Sequence, residues 1–217
     1  MRYFPLLCVL VSSAFAQQTH QAPEAPSKEP TRKVLVVFGD SISAGYGVPQ
    51  GRSYPDDLQR KLDDAGYRWR VVNLGVSGDT TQGGVARINT AVSMKPRMVL
   101  LELGGNDGLR GLPLARTRAN LDQMIATFEH NGAKVVLAGM TLPANYGPDY
   151  IHGFEKVFRD LAAKYKVPLI PFILSDIITP DLRYFQGDHI HPTAEGAEIV
   201  SNTVLRAIKP LLGAGKN

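Results

Sequence analysis

The chain has almost no cysteine, only a small excess of positive charge and no long hydrophobic run. One cysteine in 217 residues excludes a disulfide-stabilised scaffold. Lysine and arginine outnumber aspartate and glutamate by 24 to 20, and no basic cluster with interleaved aromatic residues occurs, which argues against nucleic-acid binding. No apolar run reaches the ~20 residues that a membrane-spanning helix needs. The remaining composition, 44% hydrophobic and 20% charged, is typical of a globular domain.

The N-terminal residues have the pattern of a secretory signal peptide, in which Arg2 precedes a short apolar run and small residues surround a cleavage point after Ala16. Cleavage removes the only cysteine, Cys8, and the charge of Arg2, so the net charge falls from +4 to +3. We therefore expect a periplasmic or secreted protein without thiol chemistry. The predicted division into signal peptide, flexible Pro-, Gln- and Glu-rich tether, folded domain and C-terminal tail is 1–16, 17–32, 33–212 and 213–217.

Apolar, β-branched runs alternate with helical patterns along the domain, which predicts a parallel sheet covered by helices on both faces. The fold class is α/β, a three-layer α/β/α sandwich with a five-stranded parallel sheet. The predicted strands are 34–38, 69–74, 98–103, 134–138 and 168–173, and the predicted helices are 53–65, 81–94, 112–129, 150–165 and 193–211.

The turn Gly39-Asp40-Ser41 follows the first strand directly. Because α/β sheets bind ligands at the carboxyl ends of their strands, the hydroxyl and backbone N–H of Ser41 are placed where acyl-transfer chemistry uses them. The alternative from the residues alone is a turn in which Ser41 only caps a helix.

Two further strands end in turns of small residues that contain Gly78 and Asn106. In a doubly wound sheet these turns lie beside Ser41, so the N–H groups of Ser41 and Gly78 and the side-chain amide of Asn106 converge as an oxyanion hole. Taken singly, Gly78 is also explained as a turn glycine with positive φ, and Asn106 as an Asx turn.

A serine nucleophile needs a base, and His191 is the best candidate among five histidines. Asp188 precedes it by three residues, so one helical turn brings the carboxylate against the imidazole and orients its second nitrogen toward Ser41. Two alternatives remain open at this point. Asp188, His189 and His191 are compatible with a metal site, and His191 is compatible with a cap of the last helix.

The chain contains four short blocks, G-D-S at 39–41, G-D-T at 78–80, G-G-N-D at 104–107 and D-x-x-H at 188–191. Together they resemble the SGNH (GDSL-type) hydrolases, and residues 39–46, 102–111 and 142–147 more narrowly resemble the bacterial periplasmic thioesterase, lysophospholipase and arylesterase group. The resemblance covers about residues 34–211. It implies a flavodoxin-like sheet of order 2-1-3-4-5, a Ser-His-Asp triad and broad acyl-ester specificity. His189 departs from the family pattern, in which small residues are common at this position.

These residues and the resemblance predict a serine hydrolase that cleaves carboxylic esters and thioesters through an acyl-enzyme on Ser41. Its expected partner is a small-molecule acyl ester or thioester, with Leu109, Leu142 and Tyr146 as substrate-binding residues beside the cleft. We expect no metal, no cofactor, no nucleic acid and no stable membrane anchor, and we expect a monomer. The alternatives are an acetyl esterase acting on carbohydrate and a non-catalytic flavodoxin-like module that binds a phosphate or nucleotide.

Overall fold

The computed structural model describes residues 31–213, and the predicted signal peptide and most of the predicted tether lie outside this part. The described part contains a five-stranded parallel sheet in the order β2-β1-β3-β4-β5, as predicted. The strands are β1 (Lys33–Gly39), β2 (Trp69–Asn73), β3 (Met98–Glu102), β4 (Lys134–Ala138) and β5 (Leu169–Ile170).

Helices cover both faces of this sheet, so the predicted three-layer sandwich is confirmed. Helix α2 packs against α7, while α5 packs against both α3 and α6. No helix within residues 31–213 combines the length and the apolar character needed to cross a membrane. The helices are α1 (Ser41–Ala44), α2 (Tyr54–Asp64), α3 (Thr81–Ser93), α4 (Gly105–Leu109), α5 (Leu114–His130), α6 (Pro148–Tyr165) and α7 (Ala194–Ile208).

The central strand β3 and its neighbour β1 contribute fully buried side chains to the core. The side chains from Leu35 to Phe38 and from Met98 to Leu101 are fully buried, because helices cover these strands on both faces. Burying each such side chain contributes about 1.5–3 kcal/mol of hydrophobic free energy. Strand β2 lies at the edge of the sheet and is only partly buried.

The register places three strand ends side by side at one edge of the sheet. Gly39, the last residue of β1, pairs with Glu102 at the end of β3, and Val37 pairs with Asn73 at the end of β2. Ser41, Gly78 and Asn106 follow these three strands in the chain, so the sheet order brings their turns to the same edge, as the sequence predicts.

The structure corrects the predicted length of the last strand and excludes two of the alternatives. Strand β5 contains only residues 169–170 rather than 168–173, since Pro171 has no N–H to continue the ladder. Ser41 is the first residue of the short helix α1 and not its cap, because the carboxylate of Asp40 accepts the N–H of Ile42. Likewise Thr193, not His191, caps α7.

Candidate active site

Ser41 lies on the first turn of α1, directly beyond the carboxyl end of β1. Asp40 caps this helix through an Ile42 N–H bond of 3.0 Å, and Gly45 ends it in the left-handed conformation. A helix of only four residues, capped at both ends, therefore fixes the backbone of Ser41 at the mouth of the cleft that the strand ends form.

His191 connects Ser41 to Asp188. Its Nε2 lies 2.8 Å from Ser41 Oγ, and its Nδ1 lies 2.6 Å from Asp188 Oδ2. The other oxygen of Asp188 accepts the N–H groups of Ile190 and His191 at 2.9 and 3.0 Å. An ionised Asp188 assigns the imidazole proton to Nδ1, so Nε2 is free to accept the proton of Ser41.

The charge of Asp188 is stabilised by these bonds. Burial acts to raise the pKa of Asp188, but the His191 imidazole and the N–H groups of His191 and Ile190 outweigh it and lower the pKa to about 2. Asp188 is therefore ionised throughout the neutral range, as a group that orients and stabilises a cationic imidazole must be.

Three potential oxyanion donors line the same cleft, at Ser41, Gly78 and Asn106. Within the described residues, the N–H groups of Ser41 and Gly78 have no hydrogen-bond acceptor. Gly78 has φ +80°, a conformation that favours glycine, so the turn explanation of this residue also holds. Asn106 differs from the other two, because its Nδ2 already donates to Asp79 O at 2.9 Å and to Asp40 Oδ2 at 3.2 Å.

Arg87 ties the turns of this edge together, and the sequence patterns did not single it out. Its guanidinium donates to the carbonyls of Leu74 at 2.7 Å and Gly39 at 2.9 Å, and it pairs with Asp79 at 2.7 Å. It also lies over the ring of Phe38. A single half-buried cation thus holds the ends of β1 and β2 and the turn that contains Gly78.

Asp107 performs a similar task on the other side of Asn106. Its buried carboxylate accepts the N–H of Thr81 at 2.8 Å and the hydroxyls of Thr81 and Thr117 at 2.5 and 3.3 Å. These bonds fix α4, which carries Asn106, against the start of α3. The G-G-N-D block therefore contributes a structural aspartate as well as the cleft asparagine.

The cleft has a volume of about 460 Å³, and its walls are mainly apolar. Leu109 and Leu142 line it, as the sequence predicts, but Tyr146 does not belong to its walls. The hydroxyl of Tyr146 instead donates to Leu109 O at 2.7 Å, so this side chain supports the cleft from behind. Much of the wall comes from the irregular segment after β5, at Phe172, Leu174, Ile178, Leu182, Phe185 and Ile190.

Two residues frame the imidazole at the mouth of the cleft. The ring of Tyr46 lies 4.6 Å from that of His191 while 54% of Tyr46 is exposed. His189 also faces the cleft, with φ +57°. Within residues 31–213, no group of three His, Cys, Asp or Glu side chains is arranged to hold a metal ion, and His191 is engaged with Asp188 and Ser41.

The chain is similar in sequence and in fold to known hydrolases. The model of the GDSL-like Lipase/Acylhydrolase family matches residues 37–199. The chain is 41% identical to Esterase TesA of Pseudomonas aeruginosa over 187 residues, which cover 86% of this chain and 92% of that protein. It is 35% identical to Thioesterase 1/protease 1/lysophospholipase L1 of Escherichia coli (strain K12) over 179 residues, 82% of this chain and 84% of that protein. The crystal structure of TesA superposes with a TM-score of 0.78 at 42% identity, covering 82% of this chain and 99% of that one.

The lowered pKa of Asp188 predicts a pH-dependent contribution to stability. Because the folded-state pKa of about 2 lies below the ordinary value of 3.8, the contribution is fully present above about pH 4 and is lost as the pH falls through 2. Urea unfolding of the wild type and of Asp188→Asn at pH 7, 4 and 2 measures it. We expect the wild-type advantage in unfolding free energy at pH 7 to persist at pH 4 and to diminish at pH 2. An advantage already gone at pH 4 contradicts the assignment.

Proposed function

The chain belongs to the GDSL-like Lipase/Acylhydrolase family and is a hydrolase of carboxylic esters and thioesters, and on that premise we propose that it reacts through an acyl-enzyme on Ser41. One observation carries the proposal: Ser41 and His191 line an apolar cleft, and hydrogen bonds connect Ser41 Oγ through the two ring nitrogens of His191 to Asp188. Nucleophile, base and orienting carboxylate each have the partner that their role requires.

In the proposed reaction, Ser41 Oγ attacks the carbonyl carbon while Nε2 of His191 takes the hydroxyl proton. The tetrahedral intermediate collapses as the bond to the leaving oxygen or sulfur breaks, and the imidazolium protonates that atom. Water, deprotonated by the same imidazole, then attacks the acyl carbon. The bond from that carbon to Ser41 Oγ breaks, the imidazolium returns its proton to Oγ, and the carboxylic acid leaves. Asp188 stabilises the imidazolium in both halves of the cycle.

The developing oxyanion is stabilised, in this proposal, by the N–H groups of Ser41 and Gly78 and by the amide of Asn106. The first two donors lack an acceptor in the described part of the chain, so no existing hydrogen bond has to break when they bind the oxyanion. Both amide hydrogens of Asn106 already have an acceptor. The bond to Asp40 Oδ2 is the longer one, at 3.2 Å against 2.9 Å to Asp79 O, so the oxyanion shares the hydrogen that points to Asp40.

The walls of the cleft favour a fatty acyl chain over an acetylated sugar. Leu109, Leu142 and the residues of the segment after β5 offer apolar surface along the cleft. A sugar ring in the same space leaves its hydroxyl groups without hydrogen-bond partners, which costs free energy for each group. We therefore place long-chain acyl thioesters and lysophospholipids ahead of acetylated carbohydrates as substrates.

A substrate panel and a covalent label test this function together. We expect Ser41→Ala to lose labelling by a fluorophosphonate and to lose hydrolysis of acyl-CoAs, lysophospholipids and aryl esters. Ser93→Ala is the matched control, because within residues 31–213 the hydroxyl of Ser93 bonds only to the Thr90 carbonyl, on the exposed side of α3. We expect this control to keep both properties. Labelling of Ser41→Ala, or faster cleavage of acetylated sugars than of long-chain p-nitrophenyl esters, contradicts the proposal.

The oxyanion role of Asn106 is tested separately. Asn106→Ala removes one donor, and we expect kcat to fall by about 10²–10³ while the protein remains folded. Steady-state kinetics and thermal unfolding measure the two effects. Asn131→Ala, which removes an exposed amide at the end of α5, is the control and should retain normal turnover. Turnover near normal in Asn106→Ala would remove this residue from the oxyanion hole.

We also infer that the protein is exported and that residues 1–16 are removed. The support is the sequence pattern of a charged start, an apolar run and small residues at Ala14 and Ala16. Expression of the full chain in a Gram-negative host followed by N-terminal sequencing should give Gln17 as the first residue of the periplasmic or secreted product. Recovery of the intact N-terminus in the cytosol contradicts export.

A further inference from the structure

A cluster of buried polar residues lies directly behind Ser41, and the proposed reaction uses none of them. Glu102 and Ser43 are fully buried, and Asp40 and Tyr54 are 2% and 1% exposed. Oε2 of Glu102 accepts the hydroxyl of Ser43 at 2.5 Å and the N–H of Asp40 at 3.3 Å. Ser43 also contacts the hydroxyl of Tyr54 at 2.7 Å. Asp40 is the member of this cluster that reaches the cleft.

The two carboxylate oxygens of Asp40 have different partners. Oδ1 accepts the N–H of Ile42 at 3.0 Å, which caps the helix of Ser41. Oδ2 accepts the side-chain amide of Asn106 at 3.2 Å. One carboxylate therefore links the helix that carries the nucleophile to the helix that carries an oxyanion donor.

The contacts of Asn106 explain why this link matters. The nitrogen and oxygen ends of an amide have nearly the same shape, and only hydrogen-bond partners decide which end occupies which place. Two acceptors, Asp79 O and Asp40 Oδ2, face the same end of the amide, so that end must be the nitrogen. Asp79 contributes its backbone carbonyl, so Asp40 is the residue whose side chain holds the Asn106 amide in this orientation.

Of the two buried carboxyl groups, Asp40 is the one that ionises at the lower pH. Burial raises the pKa of Asp40 to about 6, although the Ile42 N–H, His191 and Asn106 act to lower it. Burial, and then the charge of Asp40, raise the pKa of Glu102 well above its usual range. Oε1 of Glu102 is buried and has no hydrogen-bond partner in the described part of the chain, which a neutral acid tolerates better than a carboxylate does. Above pH 6 Asp40 is therefore the charged member of the pair and a strong acceptor.

We propose that Asp40 is a positioning residue of the oxyanion hole, which keeps the amide nitrogen of Asn106 on the side of the reacting carbonyl. The proposal rests on the proposed function of Asn106 as an oxyanion donor. It adds a role to the aspartate of the G-D-S block, which neither attacks the substrate nor exchanges a proton with it.

Asp40→Asn tests the role with little change in shape. Asparagine has one carbonyl oxygen. If that oxygen caps Ile42, the NH2 group of the new side chain faces the NH2 group of Asn106, and two donors cannot form a hydrogen bond. We expect kcat to fall by about 10²–10³, as in Asn106→Ala, with KM within about threefold of the wild-type value. Asp40→Ser, which can cap Ile42 but is too short to reach Asn106, should show the same loss and the same split between kcat and KM.

The double variant Asp40→Asn/Asn106→Ala separates positioning from a merely structural role. If Asp40 acts through Asn106, the double variant loses no more than about threefold beyond Asn106→Ala alone. Independent effects multiply to a loss of about 10⁴–10⁶ and overturn the proposal. So does an Asp40→Asn enzyme with near-normal kcat. Tyr54→Phe controls for disturbance of the buried cluster and should retain turnover, because within residues 31–213 the hydroxyl of Tyr54 hydrogen-bonds to Ser43 and not to Asp40 or Asn106.

Two further readouts keep the proposal testable in every case. Should both Asp40 variants fail to fold by thermal unfolding, hydrogen exchange of the Asn106 side-chain amide in the wild-type protein replaces them. Slow exchange supports the proposal, and exchange at the rate of a free amide contradicts it. Failure of the proposed function and failure of the Asp40 proposal give different results. If the proposed function is wrong, Ser41→Ala remains active, whereas if only the role of Asp40 is wrong, Ser41→Ala is inactive and Asp40→Asn keeps near-normal kcat.

Discussion

The hydrogen bond between Ser41 Oγ and His191 Nε2 joins residues that are 150 positions apart, and the rest of the molecule serves to make it possible. No local pattern can hold these atoms at 2.8 Å. The parallel sheet fixes the end of β1, the capped helix α1 fixes Ser41 on it, and α7 anchors the segment that precedes it. Within that segment, the carbonyl of His191 accepts the N–H of Gln186 at 2.8 Å, so the loop that carries the base is closed on itself.

The parts of this arrangement that the sequence predicts are those with a local physical signature. Strands β1 and β3 are continuous apolar runs because both of their faces are buried, and the turns that follow them must lie together once the strand order is known. Asp188 and His191 could be paired because their spacing is local. The strand order itself, in contrast, came from the resemblance to the SGNH hydrolases and not from the spacing of the patterns.

The parts that could not be predicted are those that depend on contacts without periodicity. The segment after β5 supplies much of the apolar wall, yet it is irregular, so its residues follow neither a helical nor an alternating pattern. The place of Tyr146 in the chain predicts contact with substrate, but its hydroxyl bonds to Leu109 O. No sequence motif predicts the role of Arg87, because two of its partners are backbone carbonyls.

The buried carboxyl groups of Asp40 and Glu102 beside Ser41 destabilise the fold, because burying a carboxyl group without full hydrogen bonding costs free energy. Well-packed apolar residues at buried charged positions often give a protein that is at least as stable. Glu102 accepts hydrogen bonds from the hydroxyl of Ser43 and the N–H of Asp40, so it stabilises the turn that carries Ser41. Asp40 alone reaches across to Asn106. The oxyanion exists only briefly, so it cannot align the Asn106 amide before the reaction. An amide that is already aligned needs no reorganisation when the oxyanion forms. The carboxylate of Asp40 aligns the amide in the resting enzyme, and this role explains why a charged group is buried there.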